Sequence, residues 1–354
     1  MREVQEMRTQ PMQFTTRHKQ ALVAGAVGLG AVMLAQAWRR RTSYDFAAKS
    51  VVITGGSRGL GLVLARELAD EGARLTLVAR DEAELARAAE DIRTRHPFAE
   101  VLTIVADVRQ RQDADRAIAD VIEHYGRIDV LVNNAGVIQV GPLDHMTVGD
   151  YEDAMATHFW GPLYLVVAAL PQMRRQGEGR IVNISSIGGR VSVPHLVPYS
   201  ASKFALVGLS DGLRVELARD NITVTTVCPG LMRTGSPVNA MFKGQRPHEY
   251  AWFAISDSLP LASIDARRAA RQIVESCRRG DAELVITVQA KLAILARTLA
   301  PELFADLLTV INQLLPAPAP GGDEARRGRD SESAWAPSKL TEPSYRAAEA
   351  NNEM

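Results

Sequence analysis

Ser50-Val51-Val52-Ile53-Thr54-Gly55-Gly56-Ser57-Arg58-Gly59-Leu60-Gly61 is the stretch that decides the fold. An apolar run suited to a strand buried on both faces leads straight into a turn holding four glycines, and an amphipathic segment follows from Leu62. Glycines at a strand-to-helix turn accept positive φ and let a bound group approach the backbone closely. The helix that opens there presents unpaired N–H groups and the positive end of its dipole, a fit for phosphate. Many plain loops also need glycines, so the weight of the turn comes from the strand before it and the helix after it.

Outward from this turn, six more apolar runs repeat the pattern, beginning at Arg74, Val101, Ile128, Arg180, Ile222 and Glu283. Amphipathic segments separate them; Leu62 to Gly72 spaces Leu64, the stem of Arg66 and Leu68 as a helix does and stops on a glycine. Residues 46–290 therefore predict an α/β fold: a Rossmann-like, doubly wound parallel sheet of seven strands in a single domain, with right-handed crossovers. Val288 to Pro316 is apolar at helical spacing and broken by Pro301, which predicts two helices and a C-terminal helical extension over residues 291–315. Completing the core, covering a substrate cleft, packing a dimer face and touching a bilayer are all open roles for it. Residues 316–354 are rich in Pro, Gly and charge, with too little apolar surface to offset chain ordering. They are expected to form a disordered tail, with Trp335 and Leu340 as material for a short docking segment.

Ahead of the domain, a basic tail over residues 1–20 leads into Ala21 to Trp38, eighteen residues without a charge. At about 1.5 Å per residue this just reaches the roughly 30 Å hydrocarbon thickness of a bilayer. Arg17, His18 and Lys19 precede it, Arg39, Arg40 and Arg41 follow it, and Trp38 stands where an interfacial aromatic would. The expectation is an N-terminal transmembrane helix at 21–38, single-pass, with the catalytic domain cytoplasmic because positive charge beside a span stays on that side. A cleaved signal peptide is the rival, since Ala35-Gln36-Ala37 forms a cleavage pattern; three arginines directly after it argue against export.

Charge excludes more than it suggests. Forty-one basic residues balance forty-one acidic ones, so no overall field draws the chain to nucleic acid, and no nucleic-acid partner is expected. Cys228 and Cys277 are the only cysteines, too few for a disulfide scaffold, and read as buried small apolar residues. No metal site is expected.

Two further features carry chemistry. The second strand ends at Val78-Ala79-Arg80, where a carboxylate to hold a ribose 2′-hydroxyl is missing. Arg80 and Arg58 instead offer guanidinium groups for a 2′-phosphate, which favours NADP(H) over NAD(H). Tyr199 and Lys203 lie four apart on a predicted helix and so share a face. An ammonium beside a phenol of pKa about 10 stabilises the phenolate and lowers that value, making the phenol an acid–base catalyst. Ser186, at the end of the fifth run, supplies a hydroxyl to hold the same reacting oxygen, while Ser185 faces the other side of its strand.

The Thr54-Gly55-x-x-x-Gly59-x-Gly61 spacing, Asn133-Asn134-Ala135-Gly136, Asn183-Ile184-Ser185-Ser186, Tyr199-x-x-x-Lys203 and Cys228-Pro229-Gly230 together resemble the short-chain dehydrogenase/reductase family, in the family's order. The resemblance implies Ser186, Tyr199 and Lys203 as catalytic residues. It implies cofactor contacts from Gly55, Ser57, Arg58, Gly59, Leu60, Gly61 and Arg80; from Asp107, Asn133, Ala135 and Gly136; and from Tyr199, Lys203, Pro229, Gly230 and Thr234. One position departs from the pattern: His158 stands where the family usually has asparagine three residues before Gly161, so proton-relay and packing roles are both open for it. The implied activity is hydride transfer between NADP(H) and a ketone or secondary alcohol, lipophilic if the anchor and the apolar Met232 to Leu261 region set the substrate. A homodimer or homotetramer is expected. The competing readings are a noncatalytic NADP(H)-binding membrane scaffold or regulatory protein, and an epimerase or dehydratase of the extended type.

Overall fold

Seven parallel strands form the central sheet in the computed structural model, which describes residues 44–259 and 263–354. They are β1 (Ser50–Thr54), β2 (Arg74–Ala79), β3 (Val101–Val105), β4 (Val130–Asn133), β5 (Gly179–Ile184), β6 (Ile222–Pro229) and β7 (Glu283–Ile286). Their order across the sheet is β7-β6-β5-β4-β1-β2-β3, so the winding reverses between β1 and β4. At that switch point the two strands diverge into connections on opposite faces, and a crevice opens beyond their carboxyl ends. Five of the seven strands start where the apolar runs place them, while β4 starts two residues after Ile128 and β5 one residue before Arg180.

The helices are α1 (Gly59–Asp70), α2 (Glu82–Arg95), α3 (Arg111–Tyr125), α4 (Val148–Met155), α5 (Gly161–Gln176), α6 (Val197–Leu217), α7 (Arg246–Ser258) and α8 (Ala266–Arg279). Alternating strand residues are buried on both faces. Val52, Val78, Leu131 and Ile181 join Ile118 and Val121 of α3 and Leu165 and Val166 of α5 in one cluster, while Val51, Ile53, Leu75 and Leu77 are fully buried on the other side. Each such aliphatic side chain contributes about 1.5–3 kcal/mol on leaving water. Asp81 starts α2 by accepting the Glu84 N–H at 2.9 Å, so that carboxylate is spent as a helix cap.

A π-helical turn at Ala156–Trp160 joins α4 to α5 without a break. By length and composition this run, Val148–Gln176, is the one helix among the described residues apolar enough to cross a membrane. Its Leu165, Val166, Ala169 and Met173 instead fill the core under the sheet. The expected span at 21–38 lies outside the described residues.

Two further helices, α9 (Val288–Leu299) and α10 (Pro301–Gln313), follow β7 with the break at Pro301 that the sequence predicts. They do not complete the core. Only Ala290 is buried in α9 and nothing is buried in α10, while Leu292, Leu295, Leu299, Leu303, Leu307 and Val310 are each more than half exposed.

The expectation of a disordered tail at 316–354 is overturned. Arg326–Arg327 pairs antiparallel with Met241–Phe242, which pairs parallel with Gln139–Val140, and α11 (Glu342–Ala350) then packs over α7. Composition misses this because the segment docks through small residues. Ala336, Ala348, Thr341 and Ser344 are buried, and the Tyr345 and Tyr250 hydroxyls share a hydrogen bond of 2.6 Å. Gly235 leaves α11 room to lie flush, since a Cβ there would meet Ala348 Cα at 2.4 Å.

Candidate active site

A cleft of about 660 Å³ runs from the glycine turn to Tyr199 and Lys203. At its first end Gly55 and Gly59 have φ of +63° and +55°. Gly61 admits nothing larger, because a Cβ would lie 2.0 Å from the Gly55 carbonyl oxygen and 2.7 Å from Asn134 Nδ2. Ser57, Arg58 and Leu60 line the cleft with Gly55 and Gly59, whereas Gly61 acts from behind by letting the helix close on the turn.

Arg80 and Asp107 line the adenosine end. Arg80 is exposed and makes no hydrogen bond or ion pair among the described residues, so its guanidinium is available. Arg58 is committed: Nη1 donates to Glu84 Oε1 at 2.7 Å, and Ser57 Oγ donates to the other oxygen of Glu84 at 3.0 Å. Asp107 accepts three bonds from the Arg109 side chain, and that neighbour holds its carboxyl below the usual range against the opposing effect of burial.

The Asn-Asn-Ala-Gly turn divides its labour. Asn133, expected to touch a cofactor, is buried away from the cleft and donates to Asn183 Oδ1 at 2.8 Å; Asn183 in turn donates to Ser210 Oγ at 2.8 Å. It braces β4 to β5 and α6. Asn134 is the residue that lines the cleft with Ala135 and Gly136, its Nδ2 holding the Thr54 and Gly55 carbonyls at 3.0 and 3.2 Å. Pro229 and Gly230, also expected at the cofactor, do not line the cleft; Pro229 is in register with Ile286, and a Cβ on Gly230 would meet the Thr287 hydroxyl. Thr234 does line it, joined by Met232, Arg327 and Glu353.

At the other end, Tyr199 sits in the first turn of α6 with Lys203 one turn on, beneath the phenol ring at 5.6 Å from its centroid. Lys203 Nζ donates to the Ile184 carbonyl at 2.8 Å, and Ser185 Oγ donates to the Lys203 carbonyl at 3.0 Å. The Ser186 hydroxyl accepts the Gly188 N–H at 3.0 Å and reaches the phenol, where it favours the phenolate. Gly188 makes that approach possible, since a Cβ there would press on Tyr199 Cε1 at 3.1 Å. The expected lysine-driven acidity of the phenol is not what dominates in this structure. Burial pushes Tyr199 up, with Ser186 opposing, and pulls Lys203 down to about 7. A protonated phenol is the form that this balance favours.

His158, in the π turn, packs edge-on to Tyr199 at 5.4 Å between ring centroids. Its Nε2 accepts the Val137 N–H at 3.1 Å, which places the proton on Nδ1, 2.8 Å from Ser202 Oγ; Ser202 then donates to the Tyr199 carbonyl at 2.8 Å. Burial, and after it the Lys203 charge, hold this imidazole well below its usual pKa. Both ring nitrogens are thus spent on the protein, in a neutral tautomer.

Residues 49–241 match the short chain dehydrogenase family, more than half of the chain. This protein belongs to the short-chain dehydrogenase/reductase family. The family is one of oxidoreductases acting on CH–OH and C=O groups, and the fold and the Ser186–Tyr199–Lys203 cluster agree with that membership. The chain is 32% identical over 292 residues to dehydrogenase/reductase SDR family member 7B of Danio rerio, covering 80% of this chain and 91% of that relative. It is 37% identical over 251 residues to granaticin polyketide synthase putative ketoacyl reductase 1 of Streptomyces violaceoruber, covering 69% of this chain and 91% of the relative. Among solved structures, a short-chain dehydrogenase from Streptomyces avermitilis superposes with a TM-score of 0.64 at 32% identity, covering 75% of this chain and 97% of the other.

Proposed function

We propose that this family member is an NADP(H)-dependent oxidoreductase that interconverts a ketone and a secondary alcohol, with Tyr199, Ser186 and Lys203 as its catalytic residues. One observation carries the reading: the phosphate-type glycine turn and the Tyr199–Lys203 pair open into the same cleft. The turn fits a dinucleotide because Gly55 and Gly61 let it close tightly on the Asn134–Ala135 turn and on α1, which brings Gly55 and Gly59, at the N-terminus of α1, to the cleft. Available Arg80, together with a β2 end whose nearest carboxylate, Asp81, is spent as a cap, favours a 2′-phosphate. Arg58 joins it only by loosening its bond to Glu84. When bound, the nicotinamide supplies or accepts the hydride.

The chain's own residues handle the proton. Tyr199 gives its phenolic hydrogen to the oxygen of a carbonyl under reduction and takes it back from an alcohol under oxidation. Ser186 donates a hydrogen bond to the same oxygen as negative charge develops there. Lys203, beneath the phenol ring, steadies the phenolate that remains while its amine carries a proton. His158 positions the phenol through Ser202 rather than exchanging protons itself. Similarity to a putative ketoacyl reductase supports carbonyl reduction as the direction to assay first. The apolar segment at 21–38 and the exposed faces of α9 and α10 support attachment to a membrane and a lipophilic substrate.

A panel of ketones and secondary alcohols with NADPH and NADP+ tests this, run on the full chain and on Tyr199→Phe. The phenol's loss should lower kcat by about a hundred- to ten-thousandfold. Nucleotide affinity should stay within about twofold, less than 0.5 kcal/mol. Undiminished turnover in Tyr199→Phe would remove the proposed acid–base.

A further inference from the structure

Glu353 lines the nucleotide cleft, and Asn351 and Asn352 bind its glycine turn. Asn351 offers its carbonyl to the Gly59 N–H at 2.9 Å, the first amide of α1. Asn352 Nδ2 donates to the carbonyls of Ser57 and Glu84 at 2.8 and 3.1 Å, closing over the glycine turn from the α2 side. Glu353 is only 6% exposed, and a Cβ built on Gly59 would lie 2.4 Å from its Oε1. Its carboxylate therefore covers the glycine whose bareness a phosphate requires. Arg58 Nε lies 3.5 Å from the other carboxylate oxygen, and Asn239 Nδ2 holds both that oxygen and the Glu353 carbonyl at 2.7 Å.

These contacts reproduce, from within the chain, what a helix N-terminus and a glycine turn ask of a ligand: acceptor oxygens and negative charge. We propose that Asn351–Glu353 form an intramolecular plug of the pyrophosphate subsite, which a dinucleotide has to displace in order to bind. The proposal rests on the NADP(H) reading of the cleft given above. Two anions and two sets of acceptors cannot share the Gly59 amide and the space over it, so plug and nucleotide exclude each other. The plug is also built to release. Burial raises the pKa of Glu353, with Arg58 opposing, so its ionised form is held against a desolvation cost that leaving the cleft removes.

The expected size follows from population. If the plugged form holds about nine molecules in ten, apparent nucleotide affinity falls about tenfold. NADPH fluorescence titration of the full chain, a chain ending at Ala350, Glu353→Ala, and the exposed control Glu349→Ala measures this. The truncated chain and Glu353→Ala should bind NADPH about tenfold more tightly, with the control unchanged. Hydrogen exchange over residues 342–354 of the full chain should speed up on saturation with NADPH. The point variant guards against a truncation that disturbs folding, since it leaves α11 intact. Equal or weaker NADPH binding by Glu353→Ala, or a segment equally protected at saturation, would overturn the plug while leaving the cofactor reading in place. Binding of neither NADPH nor NADP+ by any form would overturn the cofactor reading and the plug with it.

Discussion

Asp257→Asn isolates a pH dependence built in behind Met232, a residue of the cleft wall. Asp257 lies in α7 at 4% exposure, its Oδ1 accepting the Met232 N–H at 3.2 Å while Oδ2 has no hydrogen bond of ordinary geometry, with the Ser344 hydroxyl nearby. Burial raises its pKa from 3.8 to about 7, against the pull of the Met232 amide and Arg233. For an acid whose folded pKa lies above its unfolded one, stability is whole below about pH 4 and is lost as pH climbs towards about 7. At about 1.4 kcal/mol per pH unit the whole loss is about 4 kcal/mol, and about 3 kcal/mol of it falls between about pH 5 and 8. Asparagine keeps the shape and the donor of the protonated acid but cannot ionise. The stability gap between variant and parent should therefore widen by about 3 kcal/mol over that interval, whatever constant offset the amide adds. Urea unfolding at both pH values measures the gap, provided the m values agree. A gap constant to within about 1 kcal/mol would refute the argument that α7 holds this carboxyl dry against Met232.

Arg80→Ala should weaken NADPH by about ten- to a hundredfold through loss of a charge-assisted bond while sparing NADH, and equal loss for both nucleotides in parallel titrations would sink the 2′-phosphate argument. Gly61→Ala drives a methyl to 2.0 Å from the Gly55 oxygen, so the turn has to open. About 3 kcal/mol of stability and most nucleotide affinity should go, and a variant with unchanged denaturation midpoint and binding would contradict that packing. Lys203, pulled down to about 7 by burial, should become half-acylated in competitive acetic anhydride labelling near that pH rather than near 10.5, where exposed lysines titrate; a midpoint above about 9 would count against the dry surroundings of its amine.

The doubly wound sheet is legible from sequence because its strands are near-continuous runs rich in Val, Ile and Leu, and burial of the central strands on both faces demands that pattern. Tyr199 and Lys203 are legible because a spacing of four on a helix is a geometric statement. What escapes is pairing between distant residues. Nothing local tells Asn133 from Asn134, yet one braces three elements and the other holds the glycine turn. Arg58 reads as a free cation until α2 brings Glu84 to it. The C-terminal segment reads as disordered because its Pro, Gly and charge leave little apolar surface, whereas Gly235 lets Ala348 lie against it and Gly328 lets the segment press on the Pro237 carbonyl and Tyr250. The exposed leucines of α9 and α10 carry the periodicity of a buried face, which states that something apolar should cover them without saying what.

The wide turn at Ala156–Trp160 sets a trap for anyone aligning relatives by counting. A π turn holds one residue more than the α-helical turns beside it, and each α-helical residue advances about 100° around the axis. A relative lacking that surplus residue would keep both flanking helices and swing a different side chain toward the phenol, even though the glycine after the turn stays in line. In this chain the residue that the bulge carries against Tyr199 is His158.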